Sequence, residues 1–318
     1  LLAVRLLHRI EKIFGKDLPL ATLLQAPTVG ELAGILRHEG WLAHWSSLVP
    51  IQPNGSKPPL FCVHEVSGNI ICYQQLAGYL APEQPLYALQ AEGLDGKKNP
   101  LSRIEDMAAH YIKEIQALQP EGPYFLGGHS FGGTVVFEMA QQLHAQGQKV
   151  ALLALFDAPS PILLKNMPCF RYRLYIHRCN MSRLEPKEKL IYVLEEMLES
   201  INRRINKMTI NYEQIGNFFK RLPEKYKLIK EINMEACRNY EPHIYPGKIT
   251  LFRSLLRLAS YYDDPQMGWG ELAAGGVEIQ EVPGKHITML SEPHVRVLAE
   301  KLQASLDKNA AHSSINLI

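Results

Sequence analysis

Tyr124-Phe125-Leu126-Gly127-Gly128-His129-Ser130-Phe131-Gly132-Gly133 is an apolar run that breaks into glycines, presents one hydroxyl and restarts as the amphipathic stretch Thr134 to Leu143. A serine held in G-x-S-x-G spacing at a strand-to-helix turn serves nucleophilic chemistry. The turn is tight, side chains at Gly128 and Gly132 would clash with the neighbouring strand and helix, and glycine removes them. Ser130 is thereby pushed out at the top of a sheet, at a helix N-terminus whose unpaired N–H groups favour a developing anion. Other uses of clustered glycines fail on residue identity. A phosphate-binding loop needs Lys and then Ser or Thr after its last glycine, and Gly132 is followed by Gly133-Thr134. The dinucleotide fingerprint G-x-G-x-x-G requires glycine two positions beyond Gly128, where Ser130 stands.

A nucleophilic serine needs a base, and the base an orienting carboxylate. On a sheet with this turn the chain order is Ser, acid, His. His286 fits the base, because Val282-Pro283-Gly284-Lys285-His286 combines the end of a final strand with a glycine-containing loop, as no other of the twelve histidines does. His8, His38, His44, His110 and His144 lie in helical or linker patterns, and His294 is a distant second choice. His64-Glu65 has the start of a zinc motif, but position 68 is glycine where that motif needs histidine. Two acids compete. Asp157 directly ends the apolar run Val150 to Phe156, and Asp264, beside Asp263, follows the later run Lys248 to Phe252 by about a dozen residues. A strand end is the more rigid platform, which favours Asp157. The oxyanion of an acyl-transfer intermediate then falls to the N–H of Phe131 and to one from the loop His64 to Asn69, assigned to Val66.

The elements that must position these groups are legible in the apolar pattern. Runs at Leu60 to Val63, Leu86 to Gln90, Tyr124 to Leu126, Val150 to Phe156, Lys248 to Phe252 and Val277 to Val282 alternate with helical segments near 69–81, 103–118, 132–146 and 292–306. Such alternation predicts an α/β fold with a mostly parallel sheet covered on both faces. Residues 161 to 240 break the rhythm, and an insertion there is placed over the strand ends as a helical lid, the alternative being a helical decoration elsewhere on the surface. Leu1 to Phe14 is amphipathic, with Leu2, Leu6, Ile10 and Ile13 near one face, and a second helix is expected over Val29 to Arg37. The resulting division is a helical unit at 1–40, a linker at 41–58, the main domain at 59–306 and a tail at 307–318.

With 318 residues, 46% hydrophobic, the chain has room for one large domain and a small appendage. A net charge of +2 argues for neither nucleic acid nor an acidic membrane surface, and no apolar run approaches the roughly 18 residues of a membrane span. Five cysteines with no C-x-x-C pair suit reduced thiols, and the expected location is cytoplasmic.

Together, Val49-Pro50-Ile51-Gln52-Pro53, Pro59 to His64, Gly127 to Gly133, Leu155-Phe156-Asp157 and Val282 to Leu290 resemble the type I thioesterase domains, of α/β-hydrolase fold, that end nonribosomal peptide synthetases and hybrid polyketide assembly lines. Residues 1 to 37 resemble the second half of a peptidyl or acyl carrier protein. The resemblance implies that Ser130, His286 and Asp157 release a chain carried as a thioester on 4'-phosphopantetheine, by hydrolysis or by ring closure. It implies no metal and no cofactor in the thioesterase domain itself, upstream carrier and synthetase domains as partners, and a carrier attachment serine just before Leu1. The family's usual His-Pro-x-Gly-Gly loop is here His64-Glu65-Val66-Ser67-Gly68. A carboxylesterase or lipase with the same triad, and a catalytically silent interaction module, are the competing readings. Neither accounts for the whole pattern, since the first leaves the carrier-like helices unexplained and the second the intact Ser, Asp and His set.

Overall fold

A computed structural model describes residues 2–16, 18, 21–26, 28–37, 46–95, 98–165, 224–256 and 264–315. Its centre is a seven-stranded sheet built from β1 (Leu48–Gln52), β2 (Leu60–Val63), β3 (Leu86–Leu89), β4 (Tyr124–His129), β5 (Val150–Phe156), β6 (Ile249–Leu256) and β7 (Val277–Lys285), in the order β1-β3-β2-β4-β5-β6-β7. All neighbours pair in parallel except β1, which runs antiparallel to β3. The carboxyl ends of β2, β4, β5, β6 and β7 therefore lie along one edge, where His64, Ser130, Asp157 and His286 follow their strands.

Strands buried on both faces read as unbroken apolar runs, and successive side chains go to opposite sides. Along β5, Leu153 and Leu155 enter one core, while Leu152, Ala154 and Phe156 enter the other. The first core is closed by α5 (Ile104–Leu118) and α6 (Phe131–Ala145), the second by α4 (Tyr73–Tyr79) and α9 (Val295–Ile315). Between β5 and β6 lie α7 (Pro161–Lys165) and α8 (Glu224–Asn239). Most of the segment expected to form a lid, residues 166–223, lies outside the described residues. Its last helix, α8, packs on α6: Tyr240, just past its end, donates to Glu138 Oε2 at 2.6 Å, and Cys237 Sγ meets Thr134 Oγ1 at 3.9 Å.

Before the sheet come α1 (Leu2–Phe14), α2 (Thr22–Gln25) and α3 (Val29–Arg37). A reciprocal capping box starts α3, with Glu31 accepting the Thr28 N–H at 3.0 Å and Thr28 Oγ1 accepting the Glu31 N–H at 3.2 Å. The buried face of α1 differs from the expected one. Leu7 and Ile10 are buried against Ala91, Leu94, Tyr226 and Ile229, whereas Leu6 and Ile13 are exposed, because the apolar surface α1 meets lies one position round the helix.

Two further departures concern the ends of the main domain. The expected linker contains β1, which Pro50 and loop-like flanks concealed; proline lacks a donor and is tolerated because β1 is an edge strand, with a register shift between Pro50 and Gln52. The expected tail at 307–318 continues α9 as far as Ile315, with Leu306 buried and Ala310 packed on the second core.

Candidate active site

Gly132 lets the elbow form. A Cβ there would lie 2.5 Å from Val63 O and 2.7 Å from His64 O, so only a residue without one lets the start of α6 rest on the end of β2. A Cβ at Gly128 would lie 2.3 Å from Gly132 O, within the turn itself. Ser130 between them has φ 54°, a strained value for a residue with a side chain, and its N–H is held by Phe156 O at 3.1 Å. Gly132→Ala is expected to destabilise the fold by about 1–3 kcal/mol, as over-packing against fixed atoms does. Gly78→Ala, in a helix with nothing within 4 Å of the new methyl, should change stability little or raise it. Urea unfolding of the two variants checks the contrast, and equal effects would contradict it.

The structure brings the three candidates together. Ser130 Oγ is 3.1 Å from His286 Nε2, and His286 Nδ1 is 2.9 Å from Asp157 Oδ2. A carboxylate only accepts, so Nδ1–H donates to Asp157 and Nε2 is left to accept the Ser130 proton. Asp157 is 2% exposed and sits just past β5 with φ 45°. Burial would raise its pKa, but hydrogen bonds from His286 and from Ser254 outweigh that and hold the carboxyl below its ordinary value.

Ser254 donates twice to Asp157, through its N–H to Oδ1 at 2.7 Å and through Oγ to Oδ2 at 2.9 Å. Sequence reading missed Ser254, because a serine within β6 has meaning only once β6 pairs with β5 and runs past its end. Asp264, the rival acid, is not brought to His286. Its carboxylate caps its own turn, accepting the N–H groups of Gln266 at 2.9 Å and Gly268 at 2.6 Å.

His129, in the elbow, packs against His286. Its ring stacks on His286 with centroids 4.8 Å apart, and Nε2–H donates to the His286 carbonyl at 3.0 Å. The His129 N–H donates to Tyr73 Oη at 3.0 Å, and Tyr73 donates to Val63 O at 2.6 Å, tying the end of β4 to that of β2. His64 is buried, with Nδ1 2.7 Å from Glu65 O and Nε2 2.8 Å from Tyr111 Oη. Burial lowers the pKa of His64 to about 4 and, with the nearby His286, that of His129 to about 3.

Both side rings are thus neutral in the folded protein, whereas unfolded histidine takes up a proton near pH 6.5. Below that pH the unfolded state binds more protons, so stability is full above pH 6.5 and falls as the pH drops towards the folded values, by at most about 1.4 kcal/mol per pH unit for each ring. Urea unfolding should therefore show lower stability at pH 5 than at pH 7. Equal stability at the two pH values would contradict the buried neutral state.

The loop after β2 carries the other expected donor. Glu65 accepts the Ser67 N–H at 2.9 Å, the Ser67 hydroxyl and Asn69 Nδ2, the last at 2.7 Å. Desolvation raises the Glu65 pKa against these bonds. Asn233 of α8 donates to Val66 O at 3.0 Å. Val66 is half-buried, and Phe131 stands at the first position of α6, where helical N–H groups have no partner within the helix.

The strand order, the elbow after β4 and the Ser130, His286 and Asp157 alignment at the carboxyl edge define an α/β-hydrolase. Residues 58–306 match the family model of the thioesterase domain, so the chain belongs to that family and is a thioesterase; residues 1–36 match the model of the phosphopantetheine attachment site. The chain is 46% identical over 166 residues, 50% of its length, to malpinin synthetase of Mortierella alpina, and 30% identical over 314 residues, 97% of its length, to malpibaldin synthetase of the same organism. It spans 2% and 5% of those proteins. Among solved structures, the four-domain nonribosomal peptide synthetase holo-AB3403 is similar with 27% identity and a TM-score of 0.61, over 95% of this chain and 23% of that one. The NocB thioesterase domain shares the fold, with a TM-score of 0.58 and 23% identity over 81% of this chain and 99% of that one. No described helix is long and apolar enough to cross a membrane.

Proposed function

We propose that this chain ends a nonribosomal peptide or hybrid polyketide assembly line, releasing a peptidyl or acyl chain from the phosphopantetheine thioester of a carrier. The observation that carries the reading is the hydrogen-bonded series from Ser130 Oγ to His286 at 3.1 Å and from His286 to Asp157 at 2.9 Å. A segment before the thioesterase domain that matches the phosphopantetheine attachment site model, and similarity to synthetases, support a carrier-bound thioester as the substrate class.

His286 takes the Ser130 proton as Ser130 Oγ attacks the thioester carbonyl. The N–H groups of Phe131 and Val66 hold the oxyanion, and Asp157 stabilises the imidazolium. Collapse of the intermediate breaks the C–S bond, His286 protonates the departing pantetheine thiol, and an acyl-Ser130 ester remains. Water, or an amine or hydroxyl within the chain itself, then attacks that ester, giving an acid or a ring. The partners are the upstream carrier and synthetase domains of the same line, and the setting is cytoplasmic.

A fluorophosphonate probe combined with competing substrates tests this. Rapid labelling of Ser130, with acyl-pantetheine thioesters cleaved in preference to simple esters of the same acyl group, is expected. Preference for the esters favours a carboxylesterase, and absence of labelling favours a silent module.

A further inference from the structure

We propose that Tyr111 and His64 are positioning residues for the oxyanion site, a relay that aims the Val66 N–H through the carbonyl on the other side of its peptide bond. The inference rests on the reading of Val66 as an oxyanion donor. The Val66 N–H belongs to the Glu65–Val66 peptide, which is trans, so the N–H points opposite the Glu65 carbonyl. Whatever fixes that carbonyl fixes the direction of the N–H.

Two donors hold it. Gly68 N–H reaches Glu65 O at 2.9 Å, closing the turn, and His64 Nδ1 reaches it at 2.7 Å. A carbonyl oxygen only accepts, so Nδ1 carries the hydrogen. In a neutral ring Nε2 is then bare, and at 2.8 Å from Tyr111 Oη it accepts the phenolic hydrogen. The relay runs from Tyr111 O–H to His64, and from His64 Nδ1–H to Glu65 O. The Glu65 carbonyl, which only accepts, sets the His64 tautomer, and the Tyr111 hydroxyl holds the ring in place by satisfying the Nε2 which that tautomer leaves bare.

The surroundings keep the relay rigid. His64 is 0% and Tyr111 1% exposed. Tyr111 comes from the middle of α5, which packs on α6, so the oxyanion loop is referenced to the helix bearing the other donor. The His64 ring also stacks on that of Phe131, with centroids 5.6 Å apart and planes at 21°. The Glu65 carboxylate cannot take over the role, since its oxygens are acceptors already engaged by Ser67 and Asn69.

Loss of one oxyanion donor costs about 10²–10³ in kcat. Tyr111→Phe removes no oxyanion donor, but it leaves His64 Nε2 buried without its partner and loosens the ring that aims the Val66 N–H, so kcat should fall about tenfold with KM unchanged. His64→Asn keeps an N–H donor near the position of Nδ1 and has no second ring nitrogen for Tyr111 to hold. In its background Tyr111→Phe should cost nothing further, which a double-mutant cycle reads directly.

The experiment measures kcat and KM on an acyl-pantetheine thioester, together with the inhibition constant of a trifluoromethyl ketone analogue that forms a tetrahedral oxyanion on Ser130. In Tyr111→Phe, the inhibition constant should rise by the factor that kcat falls, with folding confirmed by urea unfolding. Unchanged kcat, a loss carried by KM alone, or an unchanged inhibition constant would overturn the inference, as would the same Tyr111→Phe penalty in the His64→Asn background. Activity surviving in Ser130→Ala would instead remove the reading beneath it.

Discussion

Ser130→Ala is expected to lower thioester turnover by about 10⁴–10⁶-fold, the range in which removal of a triad nucleophile falls. The effect is chemical rather than structural. Ser130 lies at a turn, its Oγ meets His286 Nε2, and its loss opens no cavity in either core. Its backbone strain at φ 54° is the same for alanine, so neither state of the substitution relieves it. The melting temperature should stay near that of the parent protein while release stops. A variant with an unchanged melting curve and substantial turnover would remove Ser130 from the mechanism.

Asp157→Asn is expected to cost about 10⁴ in turnover, and Asp264→Asn only a few-fold. The first follows from the tautomer of His286. An amide at position 157 can turn its NH₂ towards Nδ1, which rewards the ring with hydrogen on Nε2, and that ring cannot accept the Ser130 proton. The second follows from Asp264 capping its own turn, with no bond to His286.

Stability must be measured beside turnover, because both carboxylates hold backbone N–H groups. Asp157 accepts from Ser254 twice and is almost fully buried, so its amide should cost about 1–3 kcal/mol through mismatched donors. Asp264→Asn should cost about 1 kcal/mol or less, as a capping change does. Turnover, corrected for the fraction folded, separates the acids. A crippled Asp264→Asn beside a nearly normal Asp157→Asn would replace Asp157 by Asp264 in the triad.

Much of the site was legible because its residues sit at places where local pattern and global topology coincide. Ser130 is flagged by glycines whose absence of Cβ is needed at a 2.3 Å contact within the turn and at a 2.5 Å contact with the end of β2, and the G-x-S-x-G spacing marks both in the sequence. Asp157 and His286 each follow a strand, and parallel pairing brings strand ends to one edge without further information. Ser254 was not legible, because its role depends on β6 running beyond β5, a matter of register between segments 97 residues apart. The Tyr111 and His64 relay was hidden for the same reason: α5 reaches the loop after β2 only through the packed core. β1 escaped because Pro50 breaks the usual strand composition, and the buried face of α1 because it is chosen by Ala91, Leu94, Tyr226 and Ile229, which sequence order does not place beside it.

The central step of the proposed reaction is a covalent acyl group passing through Ser130. Rapid acid quenching of the wild-type protein during turnover of an acyl-pantetheine thioester, followed by digestion and mass spectrometry, looks for that group directly. The predicted result is the acyl mass on the peptide containing Ser130, absent from Ser130→Ala treated in parallel. Acyl mass on another residue, or on the Ser130 peptide of both proteins alike, would contradict it.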